Sequence, residues 1–136
     1  MRGTTRRQEA CADIESAGAE PVLGDPDRLQ TLTPNLEGVS VLLWSMGSAT
    51  GDRQAVADLH GPRLESMVRT LVDTPVRGVV YEAAGSVDPS LLASGAGVVR
   101  RVAAANRMPA EIVAADPGDT EVWVAAMADA VDRALS

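Results

Sequence analysis

The chain has 136 residues, 46% of them apolar and 23% charged, with a net charge of −7. That length supports one domain, residues 1–136, with a sizeable core, and that balance excludes a disordered chain. It also argues against nucleic-acid binding, which needs basic grooves and stacking platforms, whereas this chain is acidic and has no Phe, one Tyr and two Trp.

A short strand at about residues 2–6 opens the chain and leads into a helix carrying Ala10, Cys11, Ile14 and Ala17, with Gly18 as its natural stop. The segment "AEPVLGD" reads as a second strand, and "PDRLQTLTPNLEG" as a short helix closed by Gly38. "VSVLLWSMG" is the strongest strand, apolar on both faces, as expected of one covered on both sides. "SATGDRQAVADLHG" is a loop or short helix. Pro62 then starts a helix with Leu64, Met67, Val68, Leu71 and Val72 at helical spacing. "VRGVVYEAAG" is a fourth strand, followed by a helix through Val98, Val99, Val102 and Ala103, and then by the strand "AEIVAAD". The last helix places Trp123, Ala126, Met127, Ala130, Val131, Ala134 and Leu135 on one stripe, with Asp119 and Glu121 suiting the dipole at its start.

Five strand–helix units in strict alternation predict an α/β fold with three layers: a mainly parallel sheet of about five strands with helices on both faces. Pro21 cannot donate a ladder bond, so its strand belongs at a sheet edge. All 12 basic residues are arginine, which removes any mechanism that needs a Schiff base, a P-loop lysine or a catalytic amine. Cys11 is the only cysteine, so an internal disulfide and a multi-cysteine metal site are excluded, and no metal cluster assembles from the remaining residues. No apolar run approaches the ~20 residues of a membrane span and no signal peptide is visible. The default reading is a cytoplasmic protein with no membrane partner.

Two doubly wound sheets compete. A flavodoxin-like sheet matches the strand count, but "GTTRRQEA" has the hydroxyls of a phosphate loop without a second glycine, and a phospho-receiver would need a lysine. The order of features favours a Rossmann sheet read from its second strand. "RGTTRR", "SAGAEPVLGDPDRL", "NLEGVSVLLWSMGSATG" and "VRGVVYEAAG" follow one another as do corresponding segments of the atypical short-chain dehydrogenases/reductases. The sequence resembles that group, the NAD(P)-dependent epimerase and NmrA-like proteins, over essentially its whole length. The resemblance implies a Rossmann-like domain truncated at its N-terminus, lacking the first strand, the G-x-G-x-x-G turn and the first helix. "GAG" at residues 95–97 precedes a helix but follows no strand, and carries little weight.

The resemblance also implies a dinucleotide partner, NADP(H) or else NAD(H), and a small-molecule substrate. Arg6 and Arg7 follow the strand that ends beside the adenosine ribose in the family, where an arginine fork suits a 2′-phosphate, and Thr5 is a hydroxyl donor there. Asp25 matches a position at the adenine edge; a turn acid before Pro26 is the alternative. Gly47 and Ser48 match a small-residue loop beside the ribose and pyrophosphate, or form a simple tight strand exit. Short-chain reductases use a tyrosine with a lysine four residues on. Here Tyr81 is the only tyrosine, position 85 is Gly85, and a hydrogen-bonded core tyrosine is the better reading. His60 and Glu82 remain as catalytic candidates, against roles as a helix-entry residue and a loop cap. Met46, Met67 and Met127 read as core filler.

The expectation is an NAD(P)-binding protein without Tyr–Lys chemistry and with weak cofactor binding. The alternatives are a reductase- or epimerase-like enzyme whose first unit lies outside this chain, and a non-catalytic interaction domain or gene remnant. The strands flanking the absent one, residues 2–6 and 39–46, are expected either to pair directly or to self-associate through their edges.

Overall fold

The computed structural model describes residues 1–136 and contains five strands and five α-helices, in two compact units, Met1–Glu37 and Gly38–Ser136. Every strand pairing is parallel. No helix is long and apolar enough to cross a membrane.

In the first unit β1 (Arg2–Thr5) pairs with β2 (Glu20–Leu23), Arg2 opposite Glu20 and Thr5 opposite Leu23. Between them lie a 3₁₀ turn (Gln8–Ala10) and the six-residue α1 (Cys11–Ser16). Gly18, at φ +91°, reverses the chain after α1, a conformation that favours glycine. Gly3 lets α1 lie against β1, since a Cβ there would stand 2.9 Å from Ile14 Cγ2. Pro21 lies in an edge strand, as its missing N–H requires. Arg2 pairs with Glu20 at 3.3 Å and also donates to the carbonyls of Asn35 and Glu37, tying down the end of the unit.

The helix expected over residues 26–38 is replaced by two 3₁₀ turns, Leu29–Thr31 and Thr33–Leu36. The cause is local competition for the backbone. Thr31 Oγ1 lies 2.7 Å from the Arg28 carbonyl it donates to and accepts from the Asp25 N–H at 2.8 Å, while Pro34 has no N–H to continue a helix.

The second unit is a three-stranded sheet in the order β3 (Val41–Trp44), β4 (Gly78–Glu82), β5 (Ala110–Val113). All five residues of β4 are buried. On one face Val80 and Val113 pack against Met127 and Ala130 of α5 (Thr120–Leu135). On the other, Tyr81 meets Gly95 of α4 (Pro89–Ala105). Also in this unit are α2 (Arg53–Leu59) and α3 (Pro62–Leu71), with Leu64, Met67, Val68 and Leu71 of α3 buried completely. Burying one such side chain contributes roughly 1.5–3 kcal/mol, so this apolar stripe anchors the helix.

One expectation fails here. β3 is not the strand covered on both sides: it is an edge strand, Leu43 is 39% exposed, and the covered strand is β4. An apolar run shows what a strand would bury, not where in the sheet it lies. Of the two outcomes expected for residues 2–6 and 39–46, direct pairing is not the one found: β1 belongs to the two-stranded sheet and β3 to the three-stranded one.

Candidate functional site

In parallel α/β sheets ligands meet the carboxyl ends of the strands. In the second unit those ends are β3 running into Ser45–Ser48, β4 ending at Glu82, and β5 ending before Asp116. The centre is Glu82, 4% exposed, with each carboxylate oxygen accepting one hydrogen bond. Gly47 N–H donates to Oε1 at 2.8 Å, and the Trp123 indole N–H, from the first turn of α5, donates to Oε2 at 2.7 Å. Glu82 thus ties together the exit of β3, the end of β4 and the start of α5. That is a loop cap, in a place where no free carboxylate oxygen faces solvent.

One residue earlier Tyr81 points to the opposite face, because successive strand side chains alternate. Its hydroxyl lies 2.5 Å from His60 Nδ1, and His60 Nε2 lies 2.9 Å from the Met46 carbonyl. A carbonyl only accepts, so Nε2 carries the proton. Nδ1 then offers its lone pair, and the Tyr81 hydroxyl donates to it. Tyr81 is 0% and His60 1% exposed. Burial lowers the His60 pKa, opposed by the Met46 carbonyl and by the charge of Glu82. Burial first, then Glu82, raises that of Tyr81. Both side chains are therefore held neutral, each with its hydrogen bond made. Trp44 completes this layer by donating its indole N–H to the Leu59 carbonyl at 3.1 Å.

Two glycines make this geometry possible. A Cβ on Gly47 would overlap the Ala84 carbonyl and stand 2.8 Å from Glu82 Oε1. A Cβ on Gly95 would overlap the Tyr81 hydroxyl and stand 2.6 Å from Cζ. Gly95 therefore belongs to mid-helix packing against a buried ring.

Three helices begin on this side of the sheet, and each start is capped by an aspartate. Asp52 accepts from Ala55 N–H at 2.9 Å, Asp88 from Ser90 N–H at 2.9 Å, and Asp119 from Val122 N–H at 3.4 Å. Backbone and hydroxyl hydrogen bonds from Ser90, then Arg53, lower the Asp88 pKa. The positive end of each helix thus already faces its own carboxylate, which is the charge an incoming phosphate would bring. No group of three or more His, Cys, Asp or Glu side chains is arranged to hold a metal ion.

The six residues assigned to a cofactor fall in different units. Thr5, Arg6, Arg7 and Asp25 lie in the first. Thr5 Oγ1 is half-buried and accepts from Arg7 N–H at 3.2 Å, fixing the turn out of β1. Arg6 and Arg7 are exposed, and their guanidinium groups make no ion pair within the chain. Asp25 accepts from Asp27 N–H at 2.9 Å, the turn-acid geometry. Gly47 and Ser48 lie in the second unit. The Gly47 N–H is already held by Glu82, and Ser48 Oγ accepts from Ser86 N–H at 3.4 Å. Sequence reasoning missed the Trp123–Glu82 bond, because Trp123 sits on the apolar stripe and its N–H direction has no sequence signature. It also passed over Gly95, although a glycine inside a helix costs about 1 kcal/mol against alanine and signals close packing.

Compared as a sequence, the chain matches no protein-family model and no curated protein. Compared as a structure, it is similar to two structures of the Citrobacter sp. triphenylmethane reductase, one of them complexed with NADP(H). Each match has a TM-score of 0.56 at 18% identity and covers 82% of this chain. The chain corresponds to 38% of the length of those reductase chains. At that identity the likeness speaks for architecture, and the architecture is that of a Rossmann-like α/β protein.

Proposed function

We propose that this chain is an NAD(P)-binding Rossmann-like protein related to the atypical short-chain dehydrogenases/reductases, one that does not use Tyr–Lys chemistry. The observation that carries the reading is the likeness of its parallel α/β arrangement to a reductase complexed with NADP(H). Two residues favour NADP(H) over NAD(H). Arg6 and Arg7 follow β1 with exposed guanidinium groups and no internal ion pair, and each offers the planar fork that binds phosphate oxygens. The fit to the rest of the dinucleotide is poorer. In the second unit the Gly47 N–H is engaged by Glu82, and three of the four helix starts carry Asp52, Asp88 and Asp119, while the fourth, α3, begins at Gly61–Pro62, where proline offers no N–H. Weak binding follows.

The chemistry of the bound nicotinamide would be hydride transfer. Within this chain, Tyr81 donates inward to His60 and there is no lysine, so neither supplies the proton such a step needs. Glu82 holds a loop and His60 holds Met46, which makes both positioning groups in this reading. The three aspartate caps favour a second reading, a non-catalytic interaction domain that binds no nucleotide.

Titrating the purified chain with NADPH and NADH by calorimetry separates the two. Weak but saturable binding with a preference for NADPH is expected, and Arg6→Ala with Arg7→Ala should abolish that preference while the fold persists. No binding of either nucleotide favours the second reading. An unchanged preference in the double variant overturns the 2′-phosphate role.

A further inference from the structure

We propose that His60 is an acid-sensitive clasp: a proton taken up by its ring detaches α2 from the exit of β3 while the rest of the second unit stays folded. Every group involved lies within Gly38–Ser136, and the inference does not depend on the nucleotide reading.

With seven residues α2 cannot hold itself together, since isolated helices below about 12–15 residues are marginal in water. It buries Val56 and Leu59, the former against Val87 and Leu92. At its C-terminal end two reciprocal hydrogen bonds fix it to β3. The Trp44 indole N–H of β3 donates to the Leu59 carbonyl at 3.1 Å, and His60 Nε2 donates to the Met46 carbonyl at 2.9 Å. Beyond His60, Pro62 has no N–H, so the hydrogen-bond ladder of α2 does not run on into α3. The shorter helix can therefore move while α3, with its completely buried stripe, stays in place.

A proton on Nδ1 turns that nitrogen into a donor facing the Tyr81 hydroxyl, which must then accept instead of donate. The hydroxyl proton is left with no acceptor, because His60 is its one hydrogen-bond partner and the residue packed on it from α4, Gly95, has no side chain. The ring is 1% exposed, so neither the new charge nor the stranded proton reaches water while α2 stays attached. The neighbouring elements do little to offset this. Residues 38–51, which include β3 and its exit, have no charged side chain, and the charges of α4 are Arg100 and Arg101. From α2 come Arg53 and Asp58, from α3 Arg63, Glu65 and Arg69, and from β4 Tyr81 and Glu82. The charge that acts on the ring is that of Glu82; it favours the protonated form, but burial outweighs it.

Once detached, His60 meets water and returns to its ordinary pKa of 6.5, whereas in the closed form its pKa is lower. Below pH 6.5 the detached form therefore binds more protons, and each further pH unit raises its share by up to about tenfold. Detachment also releases the Met46 carbonyl, and with it one support of the turn Ser45–Ser48. That turn lies at the carboxyl end of the sheet, where ligands of parallel α/β sheets meet the protein, so the clasp makes this end of the second unit responsive to acid.

The test uses the full chain, in which His60 is the only histidine, so its ring signals in a proton NMR titration are unambiguous. In the folded chain they should titrate below pH 6.5. Hydrogen exchange, corrected for intrinsic rates and followed from about pH 7.5 to about pH 5, reads the opening itself. The amides of Val56 and His60, which donate to the Asp52 and Ala57 carbonyls, should lose protection by up to about tenfold per pH unit below 6.5. They should exchange faster than the amides of Val79 and Ala83 and respond only weakly to urea, as a local opening requires. In His60→Asn, which does not titrate, the pH response of the α2 amides should vanish even if the variant is looser throughout. A ring that titrates at 6.5 or above in the folded chain overturns the proposal, as do α2 amides indifferent to pH. So does an opening that shares the rates and urea dependence of Val79 and Ala83, or a pH response that persists in His60→Asn.

Discussion

Tyr81→Phe removes one oxygen atom from the most enclosed polar contact in the second unit. In wild type the hydroxyl donates to His60 Nδ1 at 2.5 Å, with both residues shielded from water. Phenylalanine keeps the ring, so the packing of β4 on α4 survives and the loss is confined to the hydrogen bond. The His60 ring stays in place because Nε2 still donates to the Met46 carbonyl, which leaves Nδ1 a buried acceptor with no donor. A buried group orphaned in this way costs about 1–3 kcal/mol. Taking about 2 kcal/mol and the entropy of a unit this size, the unfolding midpoint should fall by about 10 °C. Trp44 and Trp123 both lie in Gly38–Ser136, so tryptophan fluorescence during thermal or urea unfolding reads that unit alone. In a His60→Leu background the same change should cost far less, because no acceptor is left to orphan. A shift of less than about 2 °C in the single variant, or equal costs in the two backgrounds, would refute the assigned tautomer and its role in stability.

Gly95→Ala should destabilise the second unit by about 1–3 kcal/mol by urea unfolding, despite the better helix propensity of alanine, because the added Cβ overlaps the Tyr81 hydroxyl. A stabilised variant would mean that Tyr81 has room to move. Stability should also depend on pH in a defined direction. The His60 pKa is lowered from 6.5, so the unfolded chain takes up a proton first and stability declines as pH falls below 6.5. The Tyr81 pKa is raised from 10.0, so the unfolded chain loses its proton first and stability declines as pH rises above 10.0. Denaturation midpoints measured across pH should show the first decline reduced in His60→Leu and the second reduced in Tyr81→Phe.

Much of the fold was legible because alternation and periodicity are properties of the chain itself. The apolar run at "VRGVVYEAAG" marked β4, Pro62 marked the start of α3, and Gly18 the turn after α1. Where reading failed, the deciding contact was between distant residues or within the backbone. Nothing in "VLLW" says that β3 is an edge strand, since its apolar faces look the same in the middle of a sheet. The 3₁₀ turns at residues 29–36 depend on where Thr31 sends its hydroxyl, although Pro34 was a visible warning. Within the candidate site, Tyr81 was legible as a core tyrosine because no lysine could partner it. The partners of His60 and Glu82 were not legible. Met46 contributes through its carbonyl and Gly47 through its N–H, groups that every residue has, so no side-chain pattern announces them.

The bond between Glu82 and Trp123 joins residues 41 positions apart, and Trp123 is in the last helix. During synthesis, β3 and β4 emerge together with α2, α3 and the His60–Tyr81 contact, but the carboxylate that ends β4 has no indole donor until α5 has been made. The face of the sheet carrying Val80 and Val113 is likewise bare until Met127 and Ala130 arrive. The ribosome therefore extrudes a half-built sheet with one apolar face open and one buried acid waiting for its partner. Closure of the second unit is a late event, set by its final sixteen-residue helix.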